Sequence, residues 1–204
     1  MRRVGFSDDL ARLMAAIGAG DGPLARAMLD QAPELATARL DRRDEFFLAS
    51  CRVQLYAGGT ALHVAAAAYD RDMAGDLLSR GADIRARDRR GAEPLHAAVR
   101  GEPGTPAWDP VRQCAVIEYL IEAGAEPNAA AAGGVTPLHR AVRNRCSAAV
   151  QALLRAGADA GIANDHGSTA LDLAHWTTGR GGVGSAAAKA EQQAIVSLLM
   201  ADAR

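Results

Sequence analysis

The chain has 204 residues, 49% of them hydrophobic, enough to bury a core as one domain or as one repeat array. Aromatics make up only 4%, so Ala, Leu, Val, Ile and Met must fill that core. A net charge of −1 gives no general attraction to nucleic acid or to an anionic membrane.

At the N-terminus, Asp8, Asp9 and Arg12 interrupt anything resembling a signal sequence, and no apolar run is long enough to span a membrane. The first helix is expected to start at Ser7, with Asp8 and Asp9 in its first turn. "ARLMAA" from Ala11, followed by Met28 and Leu29, forms a first helix pair within residues 7–36. Residues 39–56 are an insertion whose Phe46–Tyr56 portion is apolar and β-prone, and it reads as a hairpin or flap over the flank of the first repeats.

Four later segments share one pattern: "GTALHVAA" from Gly59, "AEPLHAAV" from Ala92, "VTPLHRAV" from Val135 and "STALDLAH" from Ser168. Thr60, Glu93, Thr136 and Thr169 occupy one position in it, 33, 43 and 33 residues apart. "LLSRGAD" from Leu77, "LIEAGAE" from Leu120 and "LLRAGAD" from Leu153 recur downstream. The threonine hydroxyls suit a helix start, Pro94 and Pro137 its first residue, and Gly81, Gly124 and Gly157 the left-handed position after a second helix. Two helices of this size cannot each bury an apolar face alone, so stacking supplies the core. The ten extra residues of the third copy, "GEPGTPAWDP" at 101–110, end in an Asp109-Pro110 helix start about a turn early. In the fifth copy Leu198 and Leu199 lie 29 and 30 residues after Thr169, so a further insertion, 177–188, separates its helices.

The period and the T-P-L-H-x-A core resemble the ankyrin repeat over nearly the whole chain. The resemblance implies an all-α solenoid, one domain over 1–204, of the small bacterial type. Its repeats are at 7–36, 57–88, 90–131, 133–164 and 166–204, joined by short β-turn fingers, with the first and last as caps. It also implies a structural role for His63, His96 and His139, which bond the Thr and the loop backbone. Thr136, His139 and Asp172 therefore imitate a catalytic set without being one. His166 and His175 are too scattered to hold a metal. The three cysteines, Cys51, Cys114 and Cys146, are odd in number and lack a C-x-x-C pair, which argues against disulfides or structural zinc and for a cytoplasmic protein.

"GRGGVGS" from Gly179 matches G-x-G-x-x-G, but a helix, "ALDLAHW", precedes it where a dinucleotide site needs a strand. It also lacks G-K-[ST], so it reads as a loop. What stays open is an anion held by Arg180, Gly181, Gly182, Ser185 and the following helix N-terminus.

Repeats of this kind bind proteins through their fingertips and the exposed side of their first helices. Those positions correspond here to Arg87, Arg89 and Arg90, and to Arg100, Arg140, Arg143, Arg145 and Trp176, with Trp108 at the same edge. Arginine and tryptophan are the residues most enriched in binding hot spots. The expectation is a non-catalytic monomer without cofactor or metal, binding an acidic protein segment on its concave face rather than nucleic acid or membrane. The competing expectation is a small-molecule or anion site, or an enzyme, in a groove between the two interhelical insertions.

Overall fold

The computed structural model describes residues 6–105, 108–176 and 186–202. Ten α-helices, in five consecutive pairs, account for the fold among these residues. The chain divides into two compact units, residues 1–98 and 99–204, and the division falls inside the third repeat.

The first unit contains α1 (Phe6–Gly18), α2 (Gly22–Gln31), α3 (Ala61–Ala67), α4 (Arg71–Ser79) and α5 (Pro94–Ala98). First helix packs on first helix, α1 on α3 and α3 on α5, while α3 also holds its own partner α4. The second unit contains α6 (Pro110–Glu122), α7 (Pro137–Arg143), α8 (Ser147–Arg155), α9 (Ala170–Trp176) and α10 (Ala186–Asp202). Here α7 packs on α9, and α8 packs on both α6 and α10. Most of these helices run only two or three turns, too short to persist in isolation, so the stacking provides their stability. All seven residues of α3 are buried, five of them apolar residues other than Leu62 and four of those alanine, which lets neighbouring backbones approach closely. Leu62, Leu95, Leu77, Leu120 and Leu153 are fully enclosed, each stabilising the fold by roughly 1.5–3 kcal/mol.

Local chemistry places the helix ends. Asp21, Asp70 and Asp109 cap α2, α4 and α6 by accepting from the free N–H groups of the first turn. The Asp109-Pro110 start makes α6 13 residues long against nine for α4 and α8, the early turn expected from the sequence. Gly81, Gly124 and Gly157 take φ of +89°, +102° and +85° after their helices. At Gly81 the Ala82 and Gly81 N–H groups return to the Leu77 and Leu78 carbonyls, closing the helix.

The insertion at 39–56 forms a hairpin of β1 (Phe46–Leu48) and β2 (Val53–Leu55), paired antiparallel with Leu48 opposite Val53. Leu48, Val53 and Leu55 are buried on one face, while Phe47 is 58% exposed on the other. Leu48 lies against Gly18 at the end of α1, where a Cβ would meet it at 2.5 Å.

Two details differ from the sequence expectation, and a third completes it: Ala25 and Leu29 are the buried residues of α2, with Leu24 46% exposed. Helix α1 already includes Phe6, so Ser7 is inside it and not its cap. Helix α5 ends at Ala98, so Arg100 lies on the segment leading into the insertion and not on a first helix.

Candidate protein-binding site

The fingertip arginines are engaged within the first unit. The Arg89 guanidinium donates to both carboxylate oxygens of Glu45, at 2.5 and 2.9 Å, and sits 4.8 Å over the Tyr56 ring. Arg90 donates to the Tyr56 hydroxyl at 3.0 Å and lies 5.3 Å from the same ring. Glu45 and Tyr56 flank the hairpin, so both residues clamp its base to the next finger. The hydrogen bond from Arg89, with a second from the Ala57 N–H, pulls the Glu45 carboxyl down to about 2, and Glu45 in turn raises Arg89. Arg87 donates to Glu93 at 3.0 Å, and Arg85 lies 3.8 Å from the same oxygen. Glu93 is wholly buried, and its second carboxylate oxygen has no hydrogen-bond partner.

In the second unit the interhelical turns of the third and fourth repeats meet. The Asn144 side chain donates to the Val99 carbonyl at 3.3 Å. A Cβ on Gly101 would lie 2.7 Å from the Trp108 ring and 2.8 Å from Cys146 Sγ, so only glycine admits both. The buried Gln113 joins these parts: its oxygen accepts from the Trp108 indole N–H at 3.0 Å and its nitrogen donates to the Arg100 carbonyl at 2.9 Å. Burial pushes the Cys146 thiol up to about 12, which makes it an inert filler. Trp108 is thereby held half-buried where Gly101, which follows Arg100 in the chain, meets Cys146, which follows Arg145. Arg145 adopts φ +58°, the left-handed conformation that Gly20 and Tyr69 take in the equivalent turns of the first two repeats. Arg140 is partly exposed on α7, and Arg143, exposed at its end, forms no ion pair among the described residues. Gln113, Asn144 and Gly101 carried no signal in the sequence beyond their types.

A family model described as "Ankyrin repeat" matches residues 57–89, and one described as "Ankyrin repeats (many copies)" matches residues 120–174. Over these residues the chain consists of ankyrin repeats. Among curated proteins the chain finds no match. Ankyrin repeats generally mediate protein–protein interaction, so the partner class is protein. No described helix is long and apolar enough to cross a membrane.

In this ankyrin-repeat protein the resemblance to a catalytic set dissolves into helix capping. His63 Nδ1 lies 3.0 Å from the Thr60 hydroxyl and Nε2 3.0 Å from the Ala92 carbonyl of the next repeat. His139 repeats this with Thr136 at 2.8 Å and the Ser168 carbonyl at 3.0 Å, and His96 Nδ1 accepts from the Glu93 N–H. Asp172 takes the same place beside Thr169, whose hydroxyl and backbone N–H both donate to its carboxylate and lower its pKa. Each side chain is spent on its own repeat or on the next one. Among the described residues no group of three His, Cys, Asp or Glu side chains could hold a metal.

The glycine-rich segment is preceded by α9 and followed by α10, and β1 and β2 are the only strands among the described residues. Arg180, Gly181, Gly182 and Ser185 lie outside the described residues, as do residues 177–185 of the second insertion and the side chain of Trp176, the last residue of α9.

Proposed function

We propose that this ankyrin-repeat domain, one functional module over 1–204, is a non-catalytic monomer that binds an acidic segment of a partner protein. The contact edge is the one where the interhelical turns of repeats three and four meet, on the first-helix side that forms the concave face of an ankyrin stack. The observation that carries this reading is that the turn carrying Arg145 and the segment carrying Arg100 and the half-exposed Trp108 meet at Gly101, with Arg140 and the exposed Arg143 on α7, which leads into that turn. Asp109, next to Trp108, is held by its cap of α6, accepting from the Val111 and Arg112 N–H groups at 3.0 Å. Charge-assisted contacts to arginine are stronger than neutral ones and speed encounter with an acidic partner. The fingertip trio Arg87, Arg89 and Arg90 takes a lesser part here, since Glu93, Glu45 and Tyr56 already engage it.

The test is capture of partners on the immobilised chain, followed by binding kinetics of variants. Arg143→Glu is expected to slow association strongly, and added salt to weaken the wild-type complex. Arg155→Glu, at the end of the second helix α8, is expected to change little. Equal damage from both variants, or binding that ignores salt, overturns the proposal.

A further inference from the structure

In the first repeat the hairpin occupies a place that the fourth repeat leaves open. The left-handed residue of the interhelical turn sets the register: Gly20, Tyr69 and Arg145 hold it in repeats one, two and four. Two residues before it stand Gly18, Ala67 and Arg143, each the last residue of its first helix. Arg143 is exposed and Ala67 is buried, while Gly18 carries the tip of the hairpin. A Cβ at Gly18 would meet the Leu48 side chain at 2.5 Å and the Ser50 hydroxyl at 2.8 Å, so only glycine admits both. The base of the hairpin is held near the start of α3, where the Glu45 carboxylate accepts from the Arg89 guanidinium and from the Ala57 N–H. Leu48 follows Glu45 by three positions, about 10 Å of extended chain, which is also the length of the seven-residue α3. An extended segment with a carboxylate at one end and an aliphatic side chain at the other is thus already seated on the first unit.

We infer that Arg89 and the recess at Gly18 form a second peptide-binding site whose resident occupant is the hairpin. Its external ligand is an extended segment of the same chemistry: a carboxylate for Arg89, two residues, then an aliphatic side chain for Gly18. This rests on the reading of the first-helix side as the contact face and extends it to the first two repeats. The occupant is tethered at both ends, which holds it at an effective concentration of about millimolar. An external segment therefore competes once the Glu45 clamp is released.

The experiment is fluorescence-anisotropy titration of a labelled synthetic peptide of residues 44–50, Asp-Glu-Phe-Phe-Leu-Ala-Ser, onto the full chain. Wild type is expected to bind it weakly. Glu45→Gln in the chain is expected to bind it several-fold more tightly, and Glu45→Gln combined with Leu48→Ser roughly tenfold more tightly. Adding Arg89→Gln to either variant should abolish the gain, and so should the same Glu45→Gln or Leu48→Ser change made in the peptide. Equal binding by wild type and Glu45→Gln overturns the inference, whether or not the double variant folds. A gain that survives without Arg89, or with the altered peptides, overturns it too. No arm involves Arg143, so such a failure leaves the proposed function to its own kinetics. Loss of the Arg143 effect with the peptide gain intact overturns the edge of repeats three and four and leaves this site standing.

Discussion

Glu191 of α10 accepts a 2.8 Å hydrogen bond from the backbone N–H of Ser147, the first residue of α8. In α2, α4 and α6 an aspartate at the cap position does this locally, but α8 has Cys146 there and no side-chain cap of its own. The last repeat therefore completes the helix of the one before it. Glu191→Ala is expected to destabilise the chain by about 1 kcal/mol, the usual worth of a helix cap. Chemical denaturation followed by circular dichroism measures this, and an unchanged midpoint would remove the cap from the account.

His139 makes stability depend on pH. Burial lowers its pKa below the ordinary 6.5, outweighing the hydrogen bonds to the Ser168 and Ile162 carbonyls that raise it. The unfolded chain binds a proton near 6.5 and the folded chain only at lower pH, so this contribution is complete above 6.5 and is lost as pH falls below it. Thermal melts are expected to shift downward through that window. His139→Ala should flatten the shift while costing about 1–3 kcal/mol, because buried groups of Thr136 and Ser168 lose their partner. Partner binding by the folded fraction should survive, as it would not if His139 touched the partner.

Glu93 stands where the other repeats have threonine, with one buried carboxylate oxygen unpaired. Glu93→Thr removes that oxygen and supplies the hydroxyl that Thr60 and Thr136 offer to their histidines. Arg85 and Arg87 are half-exposed and regain water. The variant is expected to be more stable by about 1 kcal/mol. A lowered melting temperature would mean that the arginine pair holds the finger more firmly than the empty lone pair weakens it.

The hairpin clamp has its own acid limit. The Glu45 carboxyl is held at about 2 against an ordinary 4.5, so its contribution is complete above 4.5 and disappears as pH falls towards 2. Hydrogen exchange of the amides in residues 46–55 is expected to accelerate in Glu45→Gln at neutral pH, with the melting temperature almost unchanged. Exchange equal to that of the wild type would show that Leu48, Val53 and Leu55 hold the hairpin without the clamp.

The repeat was legible because its signals are local. The Thr-to-His cap spans three residues, the Gly81-type helix end reads from one residue type, and Asp109-Pro110 gives a helix start directly. A β-prone run likewise exposed the hairpin. What stayed hidden depends on distance in the chain. Glu45 meets Arg89 44 residues away, and no periodicity couples them. Gln113 reads as an ordinary helical glutamine until the insertion folds back and brings it the Trp108 N–H and the Arg100 carbonyl. The register of α2 depended on which face of a short helix finds a neighbour, and composition alone left Met28 and Leu29 equivalent. Arg100 fell off its helix because the insertion begins next to it.

The first two insertions are fastened by different forces. Glu45 and Arg89 hold the hairpin through opposite charges at the surface, an attraction that mobile ions dissipate. Gln113 holds the Trp108 edge through a neutral amide sealed from solvent, which carries no charge for salt to screen and no proton to exchange with acid. A shift in the surrounding electrolyte thus loosens one appendage and leaves the other rigid. The geometry of the proposed arginine edge stays constant while the attraction that its charges would exert on an acidic partner rises and falls.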